Sequence, residues 1–101
     1  MEKYKLTWTQ DPKDFANQQI LYLIIGTNPA IDNGTFDMAT SAAEVMLPTD
    51  AVVEWWILTI DETGLKHQES PHDSFTASNQ EGLIGATNLS HTWLEHIPDV
   101  G

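Results

Sequence analysis

Two groups of side chains in this sequence carry the residue types that chemistry needs. His67, Glu69, His72 and Asp73 crowd one polar stretch, while His91, Glu95 and His96 crowd another near the C-terminal end. Imidazoles and carboxylates so spaced are the ligand types of zinc, which needs three or four of them converging from a rigid frame, each oriented by a further hydrogen bond. Here the first group falls on a loop and the second on a short tail, so both read as solvated polar residues and no metal site is expected. Ser70 and Ser74 stand beside His72 and Asp73, the ingredients of a nucleophilic triad. The four are neighbours in sequence rather than residues of separate elements, and nothing nearby offers an oxyanion site. A glycine-rich phosphate loop and a Gly-x-Ser-x-Gly elbow are both absent. Acidic residues are so common that a carboxylate pair says nothing about acid–base catalysis. The expectation is a protein that is not an enzyme and holds no cofactor.

The composition narrows the partners. The chain has 101 residues, enough for one domain with its own core, and no cysteine, so disulfides, thiol catalysis and thiolate metal sites are excluded. Fifteen acidic residues against four lysines, with no arginine, give a net charge of −11. A phosphate backbone would be repelled, and no basic groove can be built from Lys3, Lys5, Lys13 and Lys66. Nucleic acid is therefore not expected as a partner. No apolar run reaches the ~20 residues of a membrane span, and neither end reads as an export signal, so cytoplasmic synthesis without secretion is expected.

The elements that must position these residues are strands. Residues 52–60 form the longest β-branched and aromatic run, interrupted only by Glu54. Val53, Trp55, Ile57 and Thr59 fall on one face, and Val52, Glu54, Trp56, Leu58 and Ile60 on the other. Both faces are apolar, but one domain core covers only one of them. Upstream, residues 4–9 alternate, placing Tyr4, Leu6 and Trp8 inward, and residues 20–25 form a second run apolar on both faces. Asn33 and Gly34 offer the positive φ of a hairpin turn, with a short strand following over residues 35–39. Residues 42–47 favour a helix by propensity but are too short for a stable one, and read as a strand with Ala43, Val45 and Leu47 inward. Residues 66–73 read as a polar loop and residues 74–78 as a last edge strand.

The order of these landmarks resembles the fibronectin type III domain, with bacterial and viral forms closest. The motifs are Trp8 in a second strand, Gly26 and Thr27 closing a third, Leu47 closing a fifth, a long sixth strand, and the turn at Asp61 and Gly64 leading to Glu69, Ser70 and Pro71. Together they cover roughly residues 4–78. The resemblance implies an all-β, immunoglobulin-like β-sandwich over residues 1–78 and a C-terminal docking tail over residues 79–101. Three features depart from the family. Its corner tyrosine aligns with Val53, its first strand has no counterpart ahead of Trp8, and the tail continues beyond the usual end. In the tail, residues 90–96 read as two helical turns capped by Ser90, with Leu89, Trp93, Leu94 and Ile97 at helical spacing. Leu83 and Ile84 read as a substitute for the first strand, and the tail is expected to engage a neighbour.

If residues 20–25 pair beside residues 52–60, Ile20, Tyr22 and Ile24 stand outward next to Trp56, Leu58 and Ile60. Each is worth ~1.5–3 kcal/mol when buried, so together they approach the whole stability of a small domain. A face of that kind rarely meets water. The expectation is a non-enzymatic structural subunit that binds protein, either copies of itself or other members of an assembly. The binding residues would be these six together with Leu83, Ile84, Trp93, Leu94 and Ile97. The resemblance further implies a virion protein of a tailed bacteriophage. The alternative is a free-standing adhesion or carbohydrate-binding module.

Overall fold

The computed structural model describes residues 1–9, 16–81 and 90–98. Eight strands follow in chain order: β1 (Glu2–Thr7), β2 (Gln18–Ile25), β3 (Ile31–Asp37), β4 (Ala42–Leu47), β5 (Val52–Ile60), β6 (His67–Glu69), β7 (Asp73–Thr76) and β8 (His91–His96). They form two antiparallel sheets, a three-stranded one in the order β4-β1-β8 and a five-stranded one in the order β3-β2-β5-β6, with β7 also on β5. Since β2 runs along one side of β5, β6 and β7 share the other side as a single edge strand broken between them. The break is held in place because Ser70 takes up both backbone groups of Ile57. Its N–H donates to the Ile57 carbonyl at 2.9 Å, and its hydroxyl accepts the Ile57 N–H at 2.9 Å.

The period-two pattern sorts the strands as the residues demand. Tyr4, Leu6, Val45 and Leu47 from one sheet meet Leu21, Leu23, Val53, Trp55 and Ile57 from the other in one buried core, completed by Ala77. The two sheets with the core between them make a sandwich. Trp8 packs against this core, meeting Trp55 edge-on at 6.2 Å, and its indole N–H donates to Gln19 Oε1 at 2.9 Å. Residues 42–47 are a strand, as their inward alternation predicts.

Two expectations about the strand connections are corrected. The turn between β2 and β3 lies at Gly26, whose φ is 64°, not at Asn33 and Gly34. Those two residues sit inside β3 and absorb a register shift opposite Ile20 and Tyr22, so the positive φ of Gly34, 131°, serves a bulge rather than a hairpin. The stretch expected as a polar loop contains β6, because the free side of β5 needs pairing whatever the polarity of the side chains that cover it.

The tail holds no helix among the described residues. Residues 91–96 are a strand antiparallel to β1, on the edge opposite β4. A register shift opposite Lys3 and Tyr4 inserts Leu94 as an extra residue, so that Trp93 pairs with Tyr4 and His96 with Glu2. This bulge breaks strict alternation and creates the spacing that mimics a helix turn. An open edge on β1 gives the segment a full ladder of hydrogen bonds, which two isolated helical turns could not match. Leu83 and Ile84, expected as the strand beside β1, lie outside the described residues; β8 occupies that place. The hydroxyl tie that Val53 cannot make has a counterpart elsewhere. Tyr4 donates to the Ser78 carbonyl at 2.9 Å and accepts from Gln80 Nε2 at 3.2 Å, pinning the chain beyond β7 to β1.

Candidate functional site

The polar stretch around His72 divides between two surroundings. His72 lies on the outer face of the five-stranded sheet, its Nδ1 2.6 Å from Glu54 Oε2 and its Nε2 3.2 Å from Glu69 Oε1. The Glu54 hydrogen bond, opposed by partial burial and assisted by Glu69, raises the pKa of the imidazole. Among the described residues no group of three His, Asp or Glu side chains could hold a metal ion.

Asp73 turns the other way. Its Oδ2 accepts the Ser90 hydroxyl at 2.6 Å and the Trp55 indole N–H at 3.3 Å, and lies 3.5 Å from His91 Nδ1. Serine, histidine and aspartate thus meet, but Nδ1 of His91 is also the atom that faces Ser90 Oγ, at 3.4 Å. A relay needs one ring nitrogen on the serine and the other on the carboxylate. This arrangement instead ties β7 to the start of β8. A cleft of about 400 Å³ opens beside it where the edge strand breaks, between Trp8, Trp55 and Pro71. Asp73, held by Ser90 and Trp55, is the one charged group lining that cleft among the described residues.

The expected binding face is assembled by strand register. Ile20 pairs with Leu58 and Tyr22 with Trp56, while Ile24 pairs with Glu54 and Ile60 with Gln18. Directly opposed residues share a face, so these side chains form one apolar band on the outside of the sheet. The rows continue onto carboxylates: Asp37 beside Gln18 and Asp32 beside Tyr22 on β3, and Glu69 beside Leu58 on β6. With Glu54 they place four acidic groups around the band, and no lysine falls in these rows.

Trp56 itself is only 9% exposed. Tyr22 stacks on one side of its ring at 5.7 Å and 14°, and His72 on the other at 4.1 Å and 5°. The three rings stand in a row across β2, β5 and the break in the edge strand, showing edges rather than the Trp56 faces. Trp56 faces outward as expected, but part of its cover comes from within the chain: His72 stacks on it, which the sequence hid because its partners Glu54 and Glu69 lie in different strands. Glu54 carries a faint signal, as the single charge in an otherwise apolar strand.

Among the expected tail residues, Trp93 packs against the chain's own core, Leu94 is exposed, and Ile97 exchanges backbone hydrogen bonds with Met1. The structure adds a residue that the sequence did not single out. Glu2 is fully buried at the inward start of β1. Its Oε1 accepts the Trp93 indole N–H at 2.9 Å, and its Oε2 accepts the Thr49 hydroxyl at 2.6 Å and faces His96 Nδ1 at 2.5 Å. Burial alone would push this carboxyl up, but the Thr49, Trp93 and His96 hydrogen bonds outweigh it and hold the pKa at about 2. The chain matches no family model, no curated protein and no solved structure.

Proposed function

We propose that this chain is a fibronectin type III-like sandwich acting without catalysis, as a protein-binding subunit of a larger assembly, through the outer face of its five-stranded sheet. The strand orders β4-β1-β8 and β3-β2-β5-β6 support the fold reading. In this reading β8 takes the place of the family's first strand, supplied from the C-terminal side. The observation that carries the functional reading is the apolar band of Ile20, Tyr22, Trp56, Leu58 and Ile60 rimmed by Asp32, Asp37, Glu54 and Glu69. An apolar centre with a rim of one sign fits a partner whose apolar contact surface is edged with lysine or arginine. A second copy presenting the same face would set these four carboxylates against their own counterparts, so a basic partner fits this face better than self-association through it. Sugar binding on this face is less well supported, because stacking of a pyranose requires an open ring face and both faces of Trp56 are taken.

The test is an NMR titration of the intact protein with a peptide alternating leucine and lysine, against a matched leucine and glutamate peptide and a mixture of oligosaccharides. The lysine peptide should move the Trp56 indole and the amides of β2 and β5, and Leu58→Lys should abolish this while leaving the spectrum folded. Shifts confined to other surfaces, or equal shifts with the glutamate peptide, would sink the reading.

A further inference from the structure

The observations around Glu2 concern a different surface from the outer face of the five-stranded sheet. β8 lies along β1 alone within its sheet. Its side chains are half-buried or exposed, and none is fully buried. Beyond its backbone ladder, it is fastened at one end by Ser90 and His91 on Asp73, with His91 also stacked on Phe75, and at the other by Trp93 and His96 on Glu2 and by Glu95 near Lys3. The Glu2 end is demanding. A fully buried carboxylate requires an indole N–H, an imidazole and a hydroxyl all in place, and the bulge at Leu94 is what lets Trp93 and His96 reach it together. Lifting β8 removes two of those three partners at once and bares the edge of β1, a row of backbone groups ready for another strand.

We infer that β8 is an exchangeable strand addressed to β1 by the Glu2 carboxylate, and that the partner fitted to a vacated β1 edge is β8 of a second copy of this chain. A strand without tryptophan and histidine in the bulged register leaves Glu2 buried and short of donors, which penalises other occupants. A second copy reproduces every contact of the closed chain, the condition under which swapping between identical protomers costs little. This makes the β1 edge a self-recognising surface. It would join copies through the three-stranded sheet while leaving the other sheet's outer face available.

The absence of native cysteine permits a decisive experiment on the full chain. Lys5 and Thr92 are opposed in the β1–β8 register, at a Cα separation that suits a disulfide. One preparation carries Lys5→Cys, a second carries Thr92→Cys, and a third carries both as an intrachain control. Mixed at millimolar concentration under mild oxidation, the first two should give a heterodimer linked between positions 5 and 92, in excess over either homodimer and rising with concentration. In a Glu2→Gln background the linked heterodimer should form about tenfold faster or more, because a charge-assisted set of hydrogen bonds is lost. The intrachain control closing in both backgrounds shows that each is folded in register. If that control closes while the mixture yields no excess heterodimer, β8 does not exchange. If Glu2→Gln leaves the rate unchanged, Glu2 does not address the strand.

Discussion

The imidazole of His72 lies flat on the indole of Trp56, ring centroids 4.1 Å apart and planes 5° from parallel, while its two nitrogens reach Glu54 and Glu69 on either side. A residue from the break in the edge strand thus covers the largest apolar side chain of the outer face and bridges two of the carboxylates around it.

The Glu54 hydrogen bond raises the His72 pKa above the ordinary 6.5. A raised value means that the protonated form is favoured by the fold. The contribution is fully present below pH 6.5 and is lost as pH rises through the elevated folded value. The His72 ring signals in an NMR titration should report a midpoint above 6.5 that falls toward it in Glu54→Gln. His72→Ala should cost about 1 kcal/mol of stability, the scale of a stacked pair, and increase Trp56 exposure. A basic partner on this face should bind more tightly as His72 loses its proton, since Glu54 and Glu69 are then no longer neutralised.

Glu2 has the opposite sign. Its folded pKa of about 2 lies below the ordinary 4.5, so its contribution is present above pH 4.5 and disappears as pH falls from there toward 2. Denaturant midpoints measured across that window should drop, and the drop should be shallower in Glu2→Gln. Trp93→Phe keeps the ring's bulk but removes one donor from the carboxylate, with an expected cost of ~1–3 kcal/mol at neutral pH. An unchanged midpoint in Trp93→Phe would show that the indole N–H contributes nothing to holding β8.

Gln19 is only 1% exposed and joins three separate pieces of chain. It accepts the Trp8 indole N–H and donates to the carbonyls of Asp37 and Thr40, at 2.9, 2.8 and 2.9 Å. Gln19→Leu would take this amide away from the Trp8 indole N–H and from the two carbonyls, of which that of Asp37 keeps the Thr40 N–H, and should destabilise the domain by ~1–3 kcal/mol. Chemical denaturation with tryptophan fluorescence measures it, and a loss within experimental error would mean that water replaces the amide without cost.

Much of this molecule is written in short-range pattern. The inward sets Tyr4 and Leu6, Val45 and Leu47, and Val53, Trp55 and Ile57 follow from alternation, because a strand sends successive side chains to opposite faces regardless of what it pairs with. The same rule places Ile20, Tyr22, Trp56, Leu58 and Ile60 together once two strands are adjacent. Net charge and the lack of cysteine likewise need no coordinates. What periodicity could not reveal are the features that depend on an irregularity or on a distant partner. Leu94 is an extra residue in a bulge, and one extra residue turns a strand's period into something resembling a helix's. Gly34 supplies conformational freedom to a strand interior rather than to a turn, because the register of β3 on β2 requires it. Glu2 reads as a surface charge at the start of a strand until Trp93 and His96 arrive from the far end of the chain. His72 reads as a loop polar residue until Glu54 and Glu69 converge on it over Trp56. A side chain's type limits which partners it can take, but the tertiary fold alone brings those partners within hydrogen-bonding distance and excludes the water that would otherwise compete.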